Sequence, residues 1–439
     1  MPSDARDLSA GLAAVAIPDV SAADRLHALA SRLWQIDRRV VVTVAVRMAV
    51  IAAGIVTSIL SARFLQPAGR GEYFMIVTAA QLLAQFGNLG LSSSNTFFVA
   101  GDRTLLPALV ANSIWVSFLA VPLVGLMLLT ASSAFGWSVF GQGGSWFALA
   151  LAPLILFNLL GSNLLVGLNQ MNRFNAVQFA GAVVLLPFML GAGLLRLGPH
   201  GFLGASIAGW GLTAVVTLVL LRRGNPGPLR FQPAVFRSTL TYSLRAYLAT
   251  MAGFLVLRIN VFTLSGLVGS QDVGYYSVAS QIADTVAVLP QSIALVLFPS
   301  LVGQASRRFR ATLDSMLTTA LLMAVICAGL WVAGGPAIRT AFGHRFDPAV
   351  PVLRSMLPAI FLLGVTSVLS QYLAASGMPI SVVATWAAGV GLTASLGPAL
   401  IRRYAGVGAG ITLSATYLVI FVVLFILSWR AEADADSSR

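Results

Sequence analysis

Apolar runs of about 20 residues or more recur along the chain, separated by short segments that gather Arg, Gly and Pro. Twelve such runs are legible, at 40–62, 74–96, 105–129, 146–166, 175–195, 201–221, 240–266, 280–302, 313–333, 351–374, 380–401 and 407–428. At about 1.5 Å per residue each covers the ~30 Å of a bilayer's hydrocarbon as a helix. A helix is also the form that satisfies a lipid-embedded backbone within one segment. The longest polar interruption, RRGNPGPLRFQPAVFRSTL at 222–240, divides the runs six and six. The pattern therefore predicts an all-α integral membrane protein with residues 40–221 and 240–428 as two six-helix lobes. Residues 1–39, 222–239 and 429–439 are expected as an N-terminal segment, a linker and a tail.

Within the spans, polar residues are not scattered. In the second run Thr78, Gln81, Gln85, Asn88 and Ser92 follow helical spacing and draw one polar stripe down an apolar helix. The eighth run carries Gln281, Asp284 and Gln291, and an offset of 203 residues superposes them on Thr78, Gln81 and Asn88. The same offset aligns FLQPAGRGEYF at 64–74 with LVGSQDVGYYS at 267–277, pairing Gly71 with Gly274 and Tyr73 with Tyr276. These correspondences indicate an internal repeat. They predict that the second and eighth helices face each other across a water-accessible central cavity, polar packing between helices being the alternative.

Composition agrees with the pattern: 58% of residues are hydrophobic and 9% charged. All 27 basic residues are Arg. With the N-terminus inside and an even number of crossings, sixteen arginines fall in cytoplasmic segments, seven, Arg63 and Arg70 among them, in outer loops and four within spans. That bias places both termini in the cytoplasm. The net charge of +13 thus reports topology, and no soluble basic domain exists to bind nucleic acid. Leu26, Leu29, Leu33 and Ile36 recur opposite Arg25, Arg32 and Arg39, which fits either an interfacial helix or an unstructured tail. The lone Cys327 and the dispersed His27, His200 and His344 offer no metal site, and no cofactor is expected.

ARFLQPAGRGEYF, NLGLSSSNTFFV, DVGYYSVASQIADTVAVLPQSIALVLFPSL and AFGHRFDPAVPVLRSML followed by LAASGMP resemble, in order and spacing, the oligosaccharide-unit (Wzx-type) flippases of the polysaccharide transport family. These belong to the multidrug/oligosaccharidyl-lipid/polysaccharide exporter (MOP) superfamily, and the resemblance runs from residue 40 to 428. It implies two lobes around a cavity that opens alternately to each side of a bacterial inner membrane. The implied substrate is a polyprenyl-pyrophosphate-linked oligosaccharide, with membrane lipids and polysaccharide polymerase machinery as partners and a monomer as the working unit. Relatives often carry an acid fourteen residues before the glycine of VGYYS. This chain has Asn260 there.

A flippase needs a wide polar compartment and no catalytic group, which suits the stripes. The outer segments 130–145 and 334–350 carry too few titratable groups for a polymerase or glycosyltransferase site. A drug exporter or a peptidoglycan-precursor flippase is the nearer alternative. The candidate cavity residues are Gln81, Gln85, Asn88, Asn260, Gln281 and Gln291, together with Arg47, Arg245 and Arg258. Arg47 and Arg245 lie about one turn inside matching spans, where they either snorkel to the interface or grip the pyrophosphate in bidentate fashion. Asp284 sits where a charge costs ~3 kcal/mol on insertion scales. Arg258 lies eleven residues before Gly269 and Asp284 ten after Gly274. Equal depth on antiparallel neighbours predicts an ion pair that offsets the cost. The alternative is a lone Asp284 in its neutral acid form, which desolvation favours.

Overall fold

The computed structural model describes residues 38–134, 144–223, 227–303, 308–375 and 379–437. The segment before residue 38, with its expected interfacial helix, lies outside them, as does the side chain of Arg245. In chain order the helices are α1 (Arg38–Asn88), α2 (Leu91–Gly101), α3 (Leu106–Trp115), α4 (Val121–Ala134), α5 (Ser145–Gly167), α6 (Met171–Leu194), α7 (Gly198–Arg222), α8 (Pro233–Leu267), α9 (Ser270–Gly303), α10 (Arg308–Phe342), α11 (Ala349–Ala375) and α12 (Ile380–Ser437). Among the described residues nine helical stretches are long and apolar enough to cross a membrane. Two of them, Val42–Asn88 and Ile380–Glu432, are twice the length of a span. Each is two crossings joined at a break, and the more polar α9 completes the twelve-helix pattern.

The breaks have local causes. Gln66 adopts φ 59° and ψ 176° just before Pro67, whose ring excludes the helical conformation from the preceding residue. The Gln66 side chain holds the bend, with Nε2 donating to the Arg63 carbonyl at 2.9 Å and Oε1 accepting from Arg345 Nη1 at 2.9 Å. In the second half the equivalent reversal falls at Gly269, φ 123°, 203 residues later. Leu89 and Gly90, both left-handed, end α1, and Ala405, φ 48°, divides α12. Residues 63–73 are thus part of a bent helix where an outer loop was expected. Likewise, α12 continues to Ser437 through most of the expected tail, and α8 begins inside the expected linker, with Pro233 in its first turn.

Within the first half α7 packs on α5 and α6, and α2 on α5. Leu106, Leu109, Leu164, Leu165 and Leu221 form a buried cluster there. In the second half α11 lies against α9, α10 and α12, while α8 packs on α12. The halves meet along α2 and α8. Gly90 lets that contact close, since a Cβ there would stand 2.7 Å from Ser243 Oγ. Tyr247 Oη donates toward the carbonyls of Gln85 and Phe86 at 3.0 and 3.1 Å, and the rings of Phe97 and Tyr242 stack at 4.4 Å.

Candidate functional site

The sequence repeat becomes a contact. Gly71 and Gly274 lie where the two halves cross, and each faces the other half's backbone. A Cβ on Gly71 would stand 1.7 Å from the Ser270 carbonyl oxygen, and one on Gly274 would stand 1.9 Å from that of Pro67. Because 67 and 270 differ by the same 203 residues as 71 and 274, the two contacts are one contact made twice about a local pseudo-twofold. Only residues without a side chain permit helices to approach so closely.

Polar groups lock the same end. Arg70 is buried, and its donors are spent on serines of both halves. Nε donates to Ser277 Oγ at 2.8 Å, Nη1 to the Ser58 carbonyl at 2.7 Å and to Ser61 Oγ, and Nη2 to Ser58 Oγ at 2.9 Å. Arg63 donates to the carbonyls of Thr340 and Ala341 at 2.6 and 2.8 Å, capping the last turn of α10 with a residue of α1.

Beyond this crossing is a cavity of about 440 Å³ walled by both halves of α1, by α5, α6 and α7, and by α8 and α9. Arg70, Gln81, Gln178, Gln281, Arg258 and Asp284 supply much of its polar lining. A second cavity of about 260 Å³ lies within the second half, between α8, α9, α11 and α12, and Gln291, Tyr276 and Tyr417 reach it. Arg258 and Asp284 line both cavities. Arg258 Nη2 stands 2.7 Å from Asp284 Oδ2 and Nη1 3.0 Å from Ser280 Oγ, with Phe254 beneath the guanidinium at 5.7 Å. Nε of the same arginine is buried without a partner among the described residues. The Asp284 side chain is 37% exposed and that of Arg258 11%, so the acid faces the cavity while the base is enclosed.

The candidate residues therefore separate. Gln81, Gln281, Gln291, Arg258 and Asp284 are brought to the cavities. Asn88 is not: it is buried, and its Oδ1 accepts the Ser92 N–H at 3.1 Å, a backbone donor freed by the break at Leu89 and Gly90. Asn260 is also buried, donating to the Ala409 carbonyl at 3.2 Å between α8 and α12. Gln85 and the exposed Arg47 lie outside both linings. Sequence reasoning missed Arg70, Gln178 and Trp210, which also line the larger cavity. For Arg70 a signal existed, its place between two glycines in the duplicated segment.

These positions lead to an expected result. In a Cys327→Ser chain, cysteines replacing Gln81 or Gln291 react readily with a hydrophilic maleimide, whereas one replacing Asn88 is protected. Equal reaction rates at all three would contradict the cavity described here.

The family profile described as "Polysaccharide biosynthesis protein" matches residues 59–351. The succinoglycan biosynthesis transport protein ExoT of Rhizobium meliloti (strain 1021) is 26% identical over a 318-residue alignment that covers 68% of this chain and 60% of that protein. The chain thus spans less than two thirds of that relative's length. Among solved structures, an inward-facing multidrug resistance MATE family transporter of the MOP superfamily matches with a TM-score of 0.70 at 15% identity, over 91% of this chain and 99% of that one. The lipid II flippase MurJ, in an inward closed conformation, matches with a TM-score of 0.70 at 14% identity, over 88% and 87%. At these identities the structures establish the fold: two six-helix lobes around a central cavity.

Proposed function

Since the chain belongs to the family of polysaccharide biosynthesis proteins, we propose that it is a flippase that moves a polyprenyl-pyrophosphate-linked oligosaccharide from the inner to the outer leaflet by alternating access. The observation that carries this reading is the polar cavity shared by the two halves beside an end closed by a duplicated contact. A lipid-linked oligosaccharide needs a compartment only for its headgroup, since the polyprenyl tail is as apolar as the surrounding acyl chains. Amides such as Gln81, Gln178 and Gln281 offer both donors and acceptors to sugar hydroxyls. The transport role named for the succinoglycan relative supports the same reading.

With both termini in the cytoplasm, as the arginine distribution favours, the glycine crossing lies at the outer face and the cavity is closed to that side. The two matched structures named above are inward conformations as well. Arg47 and Arg245 then mark the inner mouth and meet the pyrophosphate first. Deeper in, Arg258 can exchange Asp284 for a phosphate oxygen, and its Nε, unpartnered among the described residues, adds a second donor for bidentate binding. Export of a cationic drug would call for an unpaired acid, whereas the cavity's Asp284 is engaged by Arg258. The protein works as a monomer in the inner membrane, beside the machinery that polymerises the delivered units.

The test is genetic and chemical. Cells lacking this protein, in a strain without related flippases, are expected to accumulate lipid-linked oligosaccharide on the inner leaflet and to lose a surface or secreted glycan. Unchanged glycan with no such accumulation would overturn the assignment.

A further inference from the structure

On the face of α11 turned away from the smaller cavity, a groove of about 520 Å³ runs between α10 and α11. One wall is Cys327, Ala328 and Trp331; the other includes Arg354, Leu357, Pro358, Phe361 and Leu362. The α11 positions recur at the spacing of one helix face. From Arg354 to Leu362 they extend ~12 Å along the axis. The groove opens on the lipid-facing side of α10, where Leu317, Leu321, Val325, Trp331 and Val332 are each more than half exposed.

One end of this apolar slot is cationic. The Arg354 guanidinium lies over the Trp331 ring at 5.0 Å, and Nη2 reaches the Trp331 carbonyl at 3.4 Å. Among the described residues no carboxylate stands within ion-pair distance of Arg354. Arg354 is five residues into α11, hence ~7 Å from the helix start, at the depth of the interface rather than the bilayer centre. An exposed guanidinium there, with hydrocarbon surface directly below, matches the order of groups in a phospholipid: phosphate above, acyl chain beneath. A single uncompensated positive charge favours a headgroup of net negative charge.

We propose that this groove is an anionic phospholipid site, in which Arg354, seated on Trp331, holds the phosphate and the slot below takes one acyl chain. The proposal rests on the membrane-spanning fold and does not depend on what is transported. The protein carries its own reporter, because Cys327 is the sole cysteine and lies in the slot. Its Sγ is directed at the Leu357 carbonyl, 3.6 Å away, so a chain lying in the slot covers it.

The test reconstitutes the full-length protein in vesicles of phosphatidylcholine alone or with phosphatidylglycerol, and follows Cys327 modification by a membrane-permeant maleimide. Phosphatidylglycerol is expected to slow the reaction about fivefold, the effect of one basic residue at an anionic surface. Arg354→Gln should abolish the protection, and Arg354→Lys should retain part of it. An equal rate in both lipids for the parent protein overturns the proposal without any variant. So does equal protection in Arg354→Gln. Protection that follows protein concentration instead of lipid composition would assign the groove to a second copy of the chain and also overturn it.

Discussion

Gly71→Val is expected to abolish transport while leaving a folded protein, and Gly274→Val to do the same. A Cβ at Gly71 would lie 1.7 Å from the Ser270 oxygen, a backbone atom that cannot rotate away. Restoring an ordinary carbon–oxygen contact requires the two helices to part by roughly 1.5 Å. Overpacking of this kind costs about 1–3 kcal/mol, which moves a two-state equilibrium roughly 5- to 150-fold. The cost falls on the sealed conformation, since the contact exists only while the halves touch. The variants should therefore populate the outward-open state and stall there. The checks are loss of the glycan in cells and, in a Cys327→Ser background, faster reaction of a cysteine at 81 with an impermeant maleimide applied from outside. Gly266→Ala is the control, because a Cβ there meets nothing within 4 Å. Parental transport in both valine variants would remove the seal from the mechanism.

The second large effect concerns the ion pair. Asp284→Asn leaves Arg258 enclosed without its carboxylate, keeping Ser280 as a hydrogen-bond partner. Breaking a buried pair in this way costs about 3–5 kcal/mol, and the partial exposure of Asp284 places the loss toward the lower end. Low yield of folded protein and loss of transport are expected. Adding Arg258→Gln removes the stranded charge and should recover much of the yield but not the transport. The measurement is a double-mutant cycle on thermal unfolding in detergent, with glycan export alongside. A double variant no more stable than the worse single one would show that the two residues act separately. Recovery of both yield and export would make the pair a structural bridge with no part in transport.

The residues carry different amounts of this information on their face. Membrane insertion, helix count and the division into halves are local matters: an apolar run of sufficient length has few options in lipid, and its hydropathy is visible without knowing its neighbours. The repeat was visible too, as an offset of 203, because duplicated chemistry survives as duplicated letters. The pairing of Arg258 with Asp284 followed from depth along two helices joined by a short turn, which is still a one-dimensional argument. Rotation about each helix axis is not. Asn88 belongs to the same stripe as Gln81, yet the left-handed residues at 89 and 90 turn its amide to a backbone N–H, while Gln81 stays on the cavity wall. Asn260 faces α12 because that helix happens to pack there. Arg70 is the clearest case. In PAGRG it has the look of a solvated loop residue, and only the crossing of the two halves surrounds it with Ser58, Ser61 and Ser277, the last of these 207 residues away. A guanidinium can be buried without an acid only where such partners converge, and that convergence is a property of the packed helices.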